Sequence, residues 1–242
     1  MTLGIQLLCM IVGYVVGALP TASAFAKIHG KKELERSGFD ADPFAATLES
    51  VRARPSLLRA QILLGALDAL KGALAVALGA AIGNALGGAP SGGVSEQASQ
   101  QALQQATEAA FIAPALAGFF CVLGHNYNMI FRRAESYGRG LGVAAGVMTV
   151  LNPAPTLVFL LCWLTGYFVI RRNLFVGVVS GAIATPILAY NAPDDFARAF
   201  AWIAPIESTA PFTFFVFILC MQIFVRHLEP MRALFADDEA SS

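Results

Sequence analysis

Seven apolar stretches, parted by more polar breaks of unequal length, make up most of this 242-residue chain. They run approximately over 3–26, 60–83, 111–131, 140–152, 155–170, 173–190 and 210–226. A helix needs about 20 mostly apolar residues to cross the bilayer hydrocarbon, and in lipid only helices and closed barrels satisfy every backbone N–H and C=O. Charged residues are 13% of the chain, against roughly 25% in soluble domains, and the mean hydropathy is +0.64. A large soluble core is excluded. The expectation is an all-α integral membrane protein, one membrane domain over residues 1–242. The first stretch lacks an early basic region and outlasts a typical secretion signal, so it reads as a retained span.

Asn152-Pro153-Ala154-Pro155 interrupts residues 140–170, leaving either one kinked span or two short ones, because proline inside a helix kinks or ends it. The enrichment of Lys and Arg on the cytoplasmic side arbitrates. With seven spans and the N-terminus outside, fourteen of the sixteen basic residues lie inside; Arg198 lies outside and Lys71 within the membrane. Six spans would leave eleven inside and four outside. The expected fold therefore has seven transmembrane helices, the N-terminus outside and the C-terminus cytoplasmic. Both halves of the 140–170 hairpin fall short of a normal span, which calls for tilt, re-entry or a thin bilayer. Residues 27–59 form a cytoplasmic loop of mixed charge. Residues 83–110, rich in Gly, Ala, Ser and Gln, form a flexible extracytoplasmic loop that ends in a short surface helix over 95–110.

The densest polar cluster lies at 124–140, where one apolar segment ends and another begins. It holds His125, Asn126, Arg132, Arg133 and Arg139, with Gly138 and Gly140 flanking the last arginine. Glycines let a backbone approach a ligand closely, and a helix N-terminus favours an anion. Arg139 adds a planar fork suited to phosphate oxygens, while Arg132 and Arg133 also suit simple inside anchors. Lys71 sits within the second segment, three residues after Asp68 on the same helix face. Intramembrane charges are costly and usually face a bundle interior or cavity. The pair is either self-neutralised and orients helices, or forms a cationic floor for an anionic ligand. Seven spans also put His29, His125 and His227 on one side, consistent with a shared polar site. Ser37, in the first inner loop, lacks the adjacent base that a serine nucleophile requires. Cys9, Cys121, Cys162 and Cys220 all lie in apolar stretches without paired spacing, and read as small packing residues; no metal site is expected.

In their order along the chain these residues resemble the PlsY family, the bacterial integral-membrane acyl-phosphate:glycerol-3-phosphate acyltransferases. Gly17-Ala18-Leu19-Pro20-Thr21-Ala22 is similar to the family's exit from its first helix. Asp68-Ala69-Leu70-Lys71-Gly72 resembles its Asp-x-x-Lys-Gly, and Gly124-His125-Asn126-Tyr127 its Gly-His-Asn-Phe. Gly138-Arg139-Gly140 stands where the family has a Gly-Lys-Gly phosphate loop. Asn152-Pro153 and the terminal Val225-Arg226-His227 also match. The chain departs from the pattern at 36–52, where Ser37-Gly38, Ala46-Thr47 and Arg52 align only with insertions and both family asparagines are missing. Glu135-Ser136-Tyr137 is an insertion, Asn128 replaces a proline, and Pro230 stands where the family has asparagine.

The resemblance implies seven spans with an active face toward the cytoplasm, in a bacterial inner membrane. It implies transfer of an acyl chain from acyl phosphate to glycerol 3-phosphate, giving lysophosphatidate for phospholipid synthesis, without a cofactor or nucleic-acid partner. His125, Arg139, Lys71 and His227 are then the expected catalytic residues. Ser37, Arg52, Asp68, Asn126, Gly138 and Gly140 are expected to bind substrate phosphates. Lys71, Arg52 and Arg139 would neutralise the two phosphates and the charge on the leaving group, with His125 or His227 orienting a phosphate or assisting proton transfer. Two alternatives stand beside this reading. One is a non-catalytic membrane protein that keeps a phosphate or lipid-headgroup site, motivated by the altered 36–52 stretch. The other is a small transporter, motivated by intramembrane Asp68 and Lys71 and by the proline-broken helices, although no inverted repeat is visible.

Overall fold

Every apolar segment contributes a helix, and no strand occurs among the described residues. The computed structural model describes residues 3–21, 55–86, 96–130, 140–170, 172–192, 194, 198, 200–202 and 209–241. The elements are α1 (Leu3–Ala18), α2 (Pro55–Leu86), α3 (Glu96–Asn126), α4 (Leu141–Leu151), α5 (Pro153–Thr165), α6 (Leu174–Asn191) and α7 (Thr209–Ser241). A π-helical turn, Gly166–Ile170, continues α5. Ile62–Leu86, Pro153–Ile170 and Thr209–Leu228 are long and apolar enough to cross a membrane. Leu3–Ala18, Ala110–Asn126, Leu141–Leu151 and Phe175–Asn191 are shorter apolar helices.

Several boundaries differ from those read in the sequence. α2 begins at Pro55, because proline suits a first helical turn, where its missing N–H has no partner to lose. The loop expected over 27–59 therefore gives up its last five residues to α2. Similarly, α2 reaches Leu86 and α3 starts at Glu96, so most of the 83–110 stretch is helical. Its Ala, Gln and Glu are strong helix formers, and the separate surface helix expected at 95–110 is the first part of α3. The break at 152 is real. Asn152 is extended (φ −163°, ψ 115°) and its side chain accepts the Ala154 N–H at 2.9 Å, capping α5. With its π turn, the second half of the hairpin reaches 18 residues, longer than its apolar run suggests. α4 has only 11 residues, about 16 Å at 1.5 Å per residue.

Many large apolar side chains lie on the outside of the bundle, and small residues make the closest contacts between helices. Leu3, Leu7, Ile11 and Val15 form an exposed stripe on α1, while Cys9, Gly13 and Gly17 are buried. α1, α2, α3 and α4 pack together, and so do α5, α6 and α7; α3–α7 and α4–α5 contacts join the two groups. Phe111 of α3 meets Phe212 and Phe215 of α7 edge to face, each at a centroid distance of 6.2 Å. Backbones come closest where glycines face a neighbour. A Cβ at Gly13 or Gly17 would run into the carbonyls of Ala117 or Cys121 on α3, and one at Gly146 of α4 into that of Ala69 on α2. Small residues of this kind let helices approach in lipid, where no hydrophobic force drives them together.

Gly146→Ala is expected to destabilise the bundle by about 1–3 kcal/mol through overpacking, seen as a lower thermal midpoint in detergent. At Gly65 a Cβ would meet nothing within 4 Å, so Gly65→Ala is the matched control and should melt no lower than the parent. Equal losses from the two changes would contradict the close α2–α4 contact.

Candidate active site

Lys71 and Asp68 sit in the interior of α2, only 5% and 6% exposed. Their i,i+3 spacing puts Lys71 Nζ 3.2 Å from Asp68 Oδ1. The lysine also reaches two other helices. Nζ donates to the Leu19 carbonyl at 3.2 Å and lies 3.5 Å from that of Gly17, at the end of α1. Nζ also lies 3.1 Å from His125 Nδ1, on α3. Thr21 completes the cluster, donating from Oγ1 to Asp68 Oδ1 at 2.9 Å. A helix end leaves carbonyls without intrahelical partners, and here buried side chains supply the donors. Asn128 Nδ2 takes the intervening Ala18 carbonyl at 2.7 Å. Asn128 therefore holds the end of α1 to the chain just past the end of α3.

The same end of the bundle carries a second polar feature. Asn126, the last residue of α3, is 4% exposed, and among the described residues neither side-chain polar atom has a hydrogen-bond partner. It presses against Gly140, the N-cap of α4, at φ +76°. A Cβ there would stand 2.6 Å from Asn126 Oδ1 and 2.8 Å from Nδ2, and an L side chain would resist that φ. Glycine is required at 140 on both counts. The Gly140 carbonyl accepts the Ala144 N–H at 2.8 Å, so α4 begins here, and its first amides have no acceptor within the helix.

Around this, Tyr14 OH donates to the Tyr127 carbonyl at 2.6 Å and accepts the Met129 N–H at 3.1 Å. The Arg226 guanidinium lies 5.6 Å from the Tyr127 ring centroid, a cation–π distance, and so brings α7 to the same end. His227 is fully buried. Its Nδ1 donates to the Ile223 carbonyl one turn back at 2.7 Å, and its ring centroid is 6.2 Å from that of Phe175 on α6.

Of the residues named from sequence, the structure thus gathers Asp68, Lys71 and His125 in one contact network and sets Asn126 against Gly140. It places His227 against α6 and its own helix. Ser37, Arg52, Gly138 and Arg139, with His29, lie outside the described residues. Sequence reading missed Thr21, Asn128, Tyr14 and Arg226 as parts of this site. Their links to 68, 18, 127 and 127 cross between helices, and no local spacing signals them. All four cysteines are free, three of them buried, as small packing residues would be.

Removing one member of a buried ion pair strands the other charge, a change worth about 3–5 kcal/mol. Asp68→Ala should therefore lower the thermal midpoint far more than the double change Asp68→Ala/Lys71→Met. Equal midpoints for the single and double variants would show that the pair is not electrostatically coupled.

A family model described as Glycerol-3-phosphate acyltransferase matches residues 7–237. A glycerol-3-phosphate acyltransferase of Pseudomonas fluorescens is 26% identical over 125 residues, covering 52% of this chain and 56% of the relative. Another, from Pseudomonas putida, is 28% identical over 127 residues, covering 52% and 57%. The glycerol-3-phosphate acyltransferase 2 of Moorella thermoacetica is 25% identical over 182 residues, covering 75% and 76%. The chain thus spans little more than half the length of the Pseudomonas relatives it matches. No solved structure matches. Because the family match runs from α1 into the long terminal helix and takes in the whole buried network, this chain belongs to the glycerol-3-phosphate acyltransferase family.

Proposed function

We propose that this protein transfers an acyl chain from an acyl phosphate to the sn-1 hydroxyl of glycerol 3-phosphate, at the cytoplasmic end of a seven-span bundle in a bacterial inner membrane. One observation carries the reading. The buried Asn126 amide faces a left-handed Gly140 at the N-terminus of α4, at the end of the bundle where Lys71, Asp68 and His125 meet. Amides at a helix N-terminus and an adjacent arginine suit a phosphate, and Arg139 immediately precedes Gly140. The seven helices and the one-sided distribution of basic residues support the span count and orientation.

In this scheme the acyl chain lies along the apolar helix surfaces while both phosphates gather at the polar end. The glycerol hydroxyl oxygen bonds to the acyl carbon as the bond from that carbon to the phosphate oxygen breaks, and the hydroxyl proton passes to the departing phosphate. Arg139 and Arg52 neutralise the charge that grows on the departing phosphate, and Ser37 of the first loop donates a hydrogen bond to it. Holding the two reactants side by side contributes much of the rate, and no covalent enzyme intermediate is needed.

A second reading, a paralogue that binds a phosphate or headgroup without turnover, is favoured by the two asparagines missing from 36–52. Purified protein given radiolabelled glycerol 3-phosphate and palmitoyl phosphate should yield lysophosphatidate. Arg139→Ala should slow product formation about 10²- to 10³-fold, the usual loss for one donor to a developing anion. Parent activity no higher than that of Arg139→Ala would sink the acyltransferase reading, and acyl-phosphate binding without product would establish the second one.

A further inference from the structure

Lys71 has no hydrogen left for a substrate. An ammonium carries three N–H donors and no acceptor, and Nζ has Asp68 Oδ1 at 3.2 Å, the Leu19 carbonyl at 3.2 Å and His125 Nδ1 at 3.1 Å. A fourth acceptor, the Gly17 carbonyl, lies at 3.5 Å, and the whole residue is 5% exposed. We propose that Lys71 is a positioning residue rather than a phosphate ligand: it donates to His125 Nδ1 and fixes the ring as the Nε2–H tautomer.

The tautomer follows from donor and acceptor counting. Because Nζ has no lone pair to offer, the nitrogen facing it must be the acceptor. Nδ1 is therefore bare and the ring proton sits on Nε2. Which nitrogen of a histidine is protonated is set by the hydrogen bond made at the other, and a lysine held from three directions imposes that choice firmly. Asp68 supplies the counter-charge, and Thr21 braces the same Asp68 oxygen from the end of α1. In that form Nε2 is a donor and cannot remove a proton from a hydroxyl. His227 has the opposite form, since its Nδ1 donates to the Ile223 carbonyl.

The two described histidines thus carry opposite tautomers in one protein, and each serves as reference for the other. The test is nitrogen-15 NMR of ring-labelled histidine, on the full chain in lipid nanodiscs at neutral pH. A His29→Gln background leaves two rings to assign. The parent should show bare Nδ1 and protonated Nε2 at His125, and the reverse at His227. In Lys71→Met the His125 signals should shift as Nδ1–H forms appear, with His227 unchanged. Asp68→Asn/Lys71→Met leaves no stranded charge and should give the same change, so a folding defect in the single variant does not decide the result. Protonated Nδ1 at His125 in the parent, or an unaltered His125 in the double variant, would overturn the assignment. A kinetic arm rests on the acyltransferase reading. Lys71→Met should lower kcat about 10²-fold with KM for glycerol 3-phosphate within about 2-fold, the pattern of a lost orienting contact. A loss carried instead by KM would make Lys71 a phosphate ligand and refute the positioning role. If the parent shows no transferase activity at all, the acyltransferase reading fails, and the NMR result decides the tautomer by itself.

Discussion

A lysine buried among membrane helices must be satisfied from within the protein, and much of this site is arranged around that requirement. Lys71 draws in a carboxylate from its own helix, carbonyls from the end of α1 and an imidazole from α3. Each of those groups also needs a partner. The α1 carbonyls have lost their helical donors, and Asp68 would otherwise be a bare intramembrane charge. One cation therefore solves several burial problems together, and it can do so only if three helices converge within hydrogen-bonding reach.

The glycines make that convergence possible. Gly13 and Gly17 lay α1 against the carbonyls of Ala117 and Cys121, and Gly124 lies against that of Tyr14. Gly72 and Gly146 do the same between α2 and α4. In hydrocarbon, close backbone packing replaces the hydrophobic drive that holds a soluble core. The glycine seams lie beside the polar network along the same helices, with Gly72 next in sequence to Lys71 and Gly124 next to His125. Packing and chemistry share a short stretch of chain, so a side chain added on a seam would move the site as well as loosen the bundle.

Positions expected from sequence to depart from the family take on different meanings once the contacts are known. Asn128 supplies a side-chain donor that closes the α1 terminus through the Ala18 carbonyl. That contact is built into the fold. The stretches at 36–52 and 135–137 lie outside the described residues and keep the significance that sequence alone assigns them.

Local pattern was enough for part of this structure. Spanning-length apolar runs determine helices, because lipid leaves the backbone no other partner. Asn152-Pro153 determines a break, through a missing N–H and a side-chain cap, and three-residue spacing determines the Asp68–Lys71 pair. Gly140 was legible as a turn glycine, though not as one pressed on Asn126. Sequence could group histidines by an expected side of the membrane, but not by contact. Only the tertiary structure decided that His125 turns toward Lys71 while His227 turns to its own helix and Phe175, and that Thr21, Asn128 and Tyr14 tie α1 in place. These are choices of rotation and approach between helices distant in sequence. They depend on which glycine seam meets which carbonyl, and the 3.6-residue period of a single helix carries no information about that.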